Sequence, residues 1–594
     1  MAIEKDAAVS GDVFPEGCND FEELIITGRV YVDKTSYLED LLNSGTEVAQ
    51  IQRPRRFGKT LTMSMLSCFL EMNYQHPGDR SRPERLFKDL AISKNKAFCA
   101  KHMGRYPVIS LSFKNADGET FHDAVKAIIR GFAGLSDKFA FLARRDDLDT
   151  VFLQRIRDLN TGKARVFRND GNFESSIWCL LLSFLGDLAK CLHQAFNKPP
   201  VIIIDDWDHP LQKATARGYY TDMIDIIQGI LSAALKDSSD IFKGFITGVH
   251  HISYQSIYSG FNNYVESNIT NESHAELMGF TKDETATLLK TLGMESRLPD
   301  VIDWYGGYII AGNDMVCPRS VMEYLSRALN AEHDPAAFPP ENIRTNSSSD
   351  DIIELSMKNR RWRSLERLQH LLEGKTEEIA LRTFTSYPVI TADTDFDTIA
   401  TLMLHTGYLT VAGDAVPSAR NRAVVRIPNK EVLERFSEKA KTLFSERNPE
   451  WLDKALKITA AFFAGEADKA SDIIEDMLVS FISIRNTGYE YFYHGFMLGI
   501  LSMTITNRMS MESNGESGNG FSDIVIKNSK TGKAVILEFR KCERDTPLET
   551  EKICREALKQ IEINHYDQVL KKEYPEVFKY GIAFVKKGCR VIKA

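Results

Sequence analysis

The chain has 594 residues, 43% of them hydrophobic and 26% charged, with a formal net charge of −8 at pH 7. That length exceeds what one hydrophobic core usually supports, so about two to four domains are expected, and the composition excludes a disordered or fibrous chain. The acidic balance argues against a coat of nucleic acid over the whole molecule, but the charge is uneven. Residues 527–594 hold 12 Lys and 4 Arg against 10 Asp and Glu, a local +6 that leaves −14 for the rest. A polyanion is therefore expected at the C-terminal end, although a solvated lysine-rich surface has the same composition.

The first residues, Met1 to Asp6, lack the basic-then-apolar pattern of a secretory signal. No apolar run approaches the roughly 18 to 20 residues of a spanning helix. Phe492 to Met503 comes nearest. The nine cysteines form no CxxC pair. They read as buried small hydrophobes in a reducing compartment, so a cytoplasmic protein without membrane contact is expected.

In chain order, residues 47–72 read as a short buried strand, a tight turn from Arg53 to Gly58, and a helix with Leu61, Met65 and Phe69 on one face. Tyr106–Phe113, Pro200–Ile204 and Ile241–Val249 are further apolar strands, and Phe121–Phe196 is mostly helical. Such alternation predicts a parallel sheet covered on both faces. From about Asn271 the pattern becomes helical, and Ala331–Asp351, rich in Pro, Asn, Ser and acidic residues, reads as an exposed linker or long loop. Pro449–Met503 is helical again. A polar loop (Ser513–Gly520), a hairpin (Phe521–Lys527 with Ala534–Phe539), a helix (Glu549–Leu570) and a last strand (Tyr580–Val585) follow.

A strand, a turn ending Gly58-Lys59-Thr60 and an amphipathic helix form the context of a phosphate-binding loop. The helix N-terminus offers free N–H groups and partial positive charge, Gly58 lets the backbone approach phosphate, Lys59 reaches the β/γ oxygens and Thr60 ligates Mg²⁺. Arg53 stands where the standard pattern has Gly, so the tripeptide alone is compatible with a chance match. Val201–Asp206 adds an apolar strand delivering two carboxylates at its C-terminal end, where α/β sheets bind ligands. Asp205 is placed for the Mg²⁺ shell. Asp206 falls where hydrolysing NTPases often use Glu to orient water, and its shorter arm predicts slow turnover.

At the other end, Asp523 and Glu538 stand 15 residues apart across the turn Ser529–Gly532. A hairpin can bring both carboxylates to one end of a sheet, where with a main-chain carbonyl they suit Mg²⁺ or Mn²⁺. Bare acidic residues on a hairpin are more often merely solvated. Lys358–Arg363 joins basic groups to Trp362, either a stacking patch or a solvated helix face. His250-His251 has no neighbours at ligand spacing and reads as structural.

Tyr31-Val32-Asp33-Lys34-Thr35 followed by Arg53-Pro54-Arg55-Arg56-Phe57-Gly58-Lys59-Thr60 resembles the bacterial AAA-ATPase-like family, whose members commonly carry a C-terminal PD-(D/E)XK nuclease. In that family Arg53 is the usual form of the loop. Ile246–Gly248, Ser259–Asn263, Trp304–Tyr308, Gly407–Thr410 and Pro428–Val432 extend the resemblance. Gly520–Asp523, Val535–Arg540 and Ala557–Ile561 with Tyr566 are similar to the nuclease pattern, and Glu490, Tyr493 and His494 to its preceding helix. The resemblance implies that Asp523 and Glu538 ligate metal, that Glu490 assists, and that Gln560 and Tyr566 line the site. For Tyr493 and His494 a core role is the more expected one. Arg540 replaces the motif's Lys, and guanidinium stabilises phosphate charge but cannot accept a proton.

The expectation is therefore an α/β protein in three parts: a P-loop ATPase-like domain over 1–285, a mainly helical region over 286–448, and a restriction-endonuclease-like domain over 449–594. Arg56, Gly58, Lys59, Thr60, Asp205 and Asp206 are expected to bind ATP, with Thr60 and Asp205 holding Mg²⁺. Glu490, Asp523, Glu538, Arg540 and Gln560 are expected to act on nucleic acid, DNA before RNA, with Mg²⁺ or Mn²⁺ on Asp523 and Glu538. The alternative is a nucleotide-switched nucleic-acid or protein binding module with a weak or inactive nuclease fold. Self-association is left open.

Overall fold

The computed structural model describes residue 14 and residues 17–168, 173–236, 239–249, 264–269, 274–331, 335–343, 351–357, 367–368, 370–372, 374–382, 393–413, 421–436, 439, 449–481, 490–502, 504–505, 509–517, 520–544, 546–563 and 566–594. For Glu490, His494, Tyr566 and residues 513–517 and 520–522, only the backbone is described. His250-His251, Ser259–Asn263 and Lys358–Arg363 lie outside the described residues. The chain forms two compact units, Met1–Leu433 and Glu434–Ala594.

In the first unit, β1 (Val48–Gln52), β2 (Val108–Ser112), β3 (Val201–Asp205), β4 (Lys243–Gly248) and β5 (Tyr264–Ser267) form a parallel sheet in the order β2-β3-β4-β1-β5. Every residue of β1, β3 and β4 is buried, because helices cover both faces. Ile202 and Ile204 pack with the helices Phe121–Lys138, Ser175–Phe196 and Tyr220–Leu235, while Val201 and Ile203 pack with the helix Lys59–Leu70. Strand alternation thus feeds two cores, each fully buried Ile contributing about 1.5–3 kcal/mol. One correction concerns membranes: by length and composition the helix Ser176–Phe196 is long and apolar enough to cross one. Its Leu181, Phe184, Leu185 and Leu188 are instead fully buried in the sheet's core.

The rest of this unit is mainly helical, with two small antiparallel sheets. β6 (Phe280–Thr281), β7 (Tyr308–Ile310) and β8 (Asn313–Val316) lie in the order β6-β8-β7; β9 (Glu377–Ala380), β10 (Thr410–Val411) and β11 (Arg422–Arg426) lie in the order β10-β11-β9. Within the expected linker, the described residues 335–343 form a loop with Ala337, Pro339 and Glu341 exposed, anchored at a few points. Ile343 is buried, and the hydroxyls of Tyr324 and Tyr305 donate to the carbonyls of Phe338 and Glu341 at 2.9 and 2.7 Å. The anchors are backbone carbonyls, which a polar composition does not reveal.

Three distant motifs meet near the turn Arg53–Gly58. The Arg426 guanidinium donates to the carbonyls of Gly307 (3.1 Å) and Pro428 (3.0 Å), and Asn429 donates to Gly306 at 2.7 Å. The buried Glu431 carboxylate accepts from Ser320, in the first turn of the helix Pro318–Asn330, at 2.9 Å. Gly407, at φ +84°, lies so close to Pro54 that an added Cβ would stand 2.8 Å from the proline ring. Phe57 meets the Tyr308 ring edge-on at 5.0 Å.

The second unit carries β12 (Met509–Ser517), β13 (Gly520–Asn528), β14 (Lys533–Lys541), β15 (Glu576–Val585) and β16 (Gly588–Lys593) in sequential order, antiparallel except for the parallel pair β14–β15. The helices Pro449–Ala464, Ala467–Phe481 and Glu490–Ser502 cover one face with Ile524, Ile526, Val535 and Leu537. The helix Pro547–Ile563 covers the other with Val525, Ala534 and Ile536. Most of the expected polar loop Ser513–Gly520 is the strand β12. It is an edge strand, paired through its backbone with β13, and its Met509 and Met511 pack on the core. The expected helix to Leu570 is two helices, the second Tyr566–Leu570, and β16 follows the expected last strand.

Candidate functional site

Gly58 adopts φ +85° just before the helix Lys59–Leu70, which glycine takes without a Cβ penalty, and Arg56 also has positive φ (71°). The turn opens onto a cavity of about 860 Å³ lined by Arg55, Arg56, Gly58, Lys59, Thr60 and Asp206 among others. The Lys59 ammonium donates to the carbonyls of Arg53 (3.2 Å) and Pro54 (3.1 Å). Burial lowers its pKa, and the charges of Asp206, Asp208 and Asp205 oppose that shift.

β3 and β1 are separated by β4, and Asp205, at the end of β3, joins Thr247 of β4 to Thr60 of the helix that follows β1. Its carboxylate accepts from the Thr60 hydroxyl at 2.7 Å and, on the other oxygen, from the Thr247 hydroxyl. Asp206 follows with φ 52°; burial pushes its carboxyl up to about 6, Asp205 and Asp208 add to this, and Lys59 opposes it. A hydroxyl touching a carboxylate beside a helix N-terminus is a hard-oxygen set that fits Mg²⁺, and the buried ammonium and open helix end fit polyphosphate.

Arg53 points away from the cavity. Fully buried, it donates to the carbonyls of Gln52 (2.8 Å), Ser267 (3.1 Å) and His274 (2.8 Å) and to the Ser267 hydroxyl (3.0 Å). Burial lowers its pKa to about 10, so it remains cationic at neutral pH. It is a fastener between the loop and β5, which explains how an arginine stands in place of the usual glycine without entering the cavity.

In the second unit, Asp523 and Glu538 flank each other one step beyond the Ile524–Leu537 ladder pair. The Asp523 carboxylate accepts from the Phe539 N–H at 2.7 Å, and the Asp523 N–H donates to the Glu538 carboxylate at 3.4 Å. Glu538 is 2% exposed. It is in register with Gly581, where an added Cβ would overlap the Cys554 carbonyl, so the helix Pro547–Ile563 lies directly over this row. From that helix Gln560 accepts from Arg540, whose guanidinium is 3.9 Å from the Glu538 carboxylate. Asp523, Glu538, Arg540 and Gln560 thus share one face.

Glu490 opens a helix whose Tyr493, Met497 and Ile500 pack on the opposite face. Tyr493 has the core role: it is fully buried, stacks on Phe584 at 4.4 Å and donates to the Lys586 carbonyl at 2.7 Å. Among the described residues no three His, Cys, Asp or Glu side chains gather to hold a metal. Two carboxylates side by side, one nearly buried, nonetheless fit one divalent cation completed by main-chain oxygen and water. The basic tail is laced with ion pairs: Lys527 with Glu512, Lys533 with Glu576, Lys571 and Lys579 with Asp567, and Arg555 with Glu551.

Residues 15–258 match the family model described as predicted AAA-ATPase, and residues 488–594 match that of the PD-(D/E)XK nuclease superfamily. The chain joins an AAA-ATPase-like domain to a PD-(D/E)XK nuclease-superfamily domain. No curated protein and no solved structure matches it. Around the cavity, the sequence pointed to neither Thr247 nor, beyond the matched domain, Arg319 as site residues. Thr247 reaches the site only because β4 is inserted between β1 and β3, and Arg319 lines the cavity from the helix held by Glu431. The motifs Ile246–Gly248 and Pro428–Val432 were the available signals.

Proposed function

We propose that the AAA-ATPase-like domain binds and slowly hydrolyses ATP with Mg²⁺, and that this regulates metal-dependent cleavage of DNA or RNA by the PD-(D/E)XK domain in the cytoplasm. The observation carrying the first half is the meeting of Thr60, Asp205 and Thr247 beside buried Lys59. The cross-strand Asp523–Glu538 pair carries the second. Lys59 would neutralise the β/γ oxygens, Thr60 and Asp205 would hold the cation, and Asp206 would orient water. Asp523 and Glu538 would hold a cation that polarises the scissile phosphate and activates water. Arg540, restrained by Gln560, would steady phosphate charge without taking a proton.

A second reading, a nucleotide-switched binding module, draws on Arg540 itself, since no proton-accepting amine stands at that position. The test is one incubation of full-length protein with plasmid, linear DNA and RNA, with Mg²⁺ or Mn²⁺ and with or without ATP. Metal-dependent cleavage lost in Glu538→Gln supports the nuclease. Binding without cleavage under every condition supports the module.

A further inference from the structure

Arg55 is a loop residue that the phosphate-binding role of the turn does not use, and it lines the cavity onto which the turn opens. Its guanidinium donates to the Gln212 side-chain oxygen at 2.8 Å. The Gln212 amide in turn donates to Asp208 at 3.1 Å, and the Asp208 carboxylate accepts the Val249 N–H at 3.1 Å. Asp208 is 1% exposed, so this relay is anchored in the interior at the end of β4. Arg55, Gln212 and Asp208 line the same cavity as Lys59, Thr60 and Asp206. Lys114 and Asn115, just beyond β2, line the cavity as well.

We propose that Arg55 is a catalytic residue of ATP hydrolysis, supplying from within the phosphate-binding loop the guanidinium that stabilises the transferring γ-phosphoryl, with Gln212 and Asp208 as its positioning residues. The inference rests on the ATP-binding reading above. In the step, a water oxygen forms the new P–O bond while the bond to the β-bridging oxygen breaks. That electron pair leaves with ADP, and the products are ADP, inorganic phosphate and a proton released to solvent. Charge spreads over the equatorial oxygens during transfer, and a pre-aimed guanidinium offsets it without reorganising. Arginine suits the task because it keeps its charge and its planar fork can hold Gln212 with one edge and phosphate with the other.

The test uses the full chain and three readouts: affinity for a fluorescent non-hydrolysable ATP analogue, trapping of ADP by aluminium fluoride with Mg²⁺, and kcat. Wild type must bind the analogue and Lys59→Ala must lose it; if that fails, the ATP-binding reading fails, whatever Arg55 does. Given that binding, Arg55→Ala should keep analogue affinity within about threefold, lose aluminium fluoride trapping, and drop kcat by about 10²–10³. Arg55→Lys should restore little, because an ammonium lacks the fork. Gln212→Ala should lower kcat about tenfold without changing KM, and adding it to Arg55→Ala should cost nothing more. The proposal is overturned if Arg55→Ala traps ADP normally, if it loses analogue binding as Lys59→Ala does, if the two substitutions act additively, or if wild type binds ATP and never hydrolyses it.

Discussion

Arg53 and Ser267 are joined twice: one guanidinium nitrogen reaches the Ser267 carbonyl at 3.1 Å, the other its hydroxyl at 3.0 Å. The pair ties the phosphate-binding loop to the edge strand β5 and is wholly buried. Arg53→Gly, which restores the commoner loop residue, should therefore weaken the protein. Four hydrogen bonds vanish, and two buried carbonyls and one partly buried carbonyl lose this donor, a cost of about 3 to 5 kcal/mol. Urea denaturation of wild type and variant measures it. Equal midpoints would show that Arg53 is not the fastener described above.

Lys59→Ala and Thr60→Ala should separate binding from metal use. Calorimetry with ATP and Mg²⁺ should show no binding for Lys59→Ala. Thr60→Ala should retain weak binding that Mg²⁺ no longer strengthens, since its hydroxyl is one of the two groups on Asp205.

Asp206 gives a pH signature. Its folded pKa, about 6, lies above the usual carboxylate value, so the folded state holds this proton more tightly than the unfolded chain. The contribution is full below about pH 4 and lost as pH rises through about 6. Asp206→Asn should then stabilise the protein at pH 8 by on the order of 1 to 2 kcal/mol, below the full shift because the residue is partly exposed, and far less at pH 4.5. Thermal midpoints at the two pH values check this; an equal effect at both would show that the carboxyl is not perturbed.

Gly581 should be intolerant of a side chain. A Cβ there collides with the Cys554 carbonyl, so Gly581→Ala must push the helix Pro547–Ile563 off the sheet and carry Gln560 away from Arg540. A loss of about 2 to 4 kcal/mol is expected, with faster amide exchange in that helix. Unchanged exchange would mean that the helix relaxes without leaving Arg540.

Arg540→Lys addresses the chemistry. If the nuclease is limited by the missing amine, Mg²⁺-dependent nicking of plasmid should rise about tenfold or more. A fall would assign Arg540 a role of its own that lysine cannot fill.

Much of this was legible in the sequence, for reasons visible in particular residues. β3 announces itself because burial on both faces leaves an unbroken apolar run, whereas β1, which carries Gln50 and Gln52, is marked by the turn that follows it; Gly58-Lys59-Thr60 and Asp205 are short-range signals. Asp523 and Glu538 could be paired because a hairpin fixes its own register. The strand β12 was hidden, since an edge strand can be polar and still pair. The Arg53 fastener and the Arg55 relay were hidden too, for both depend on partners from Gln212 to His274 that only the tertiary fold supplies.

The packing of Gly407 on Pro54 and of Tyr308 on Phe57 bears on how the protein can be cut. The family match ends at residue 258, yet the turn is covered by Tyr308 and Gly407, and Arg426 and Asn429 are bonded to Gly307 and Gly306 beside them. A fragment trimmed to the match would strip Pro54 and Phe57 of their cover and expose apolar surface that invites aggregation. The shortest piece that keeps the turn in its own surroundings ends near Leu433, and within it that cover rests on main-chain carbonyls and glycines. The contacts of Gly407 with Pro54 and of Tyr308 with Phe57 must therefore be kept together in any shortened chain.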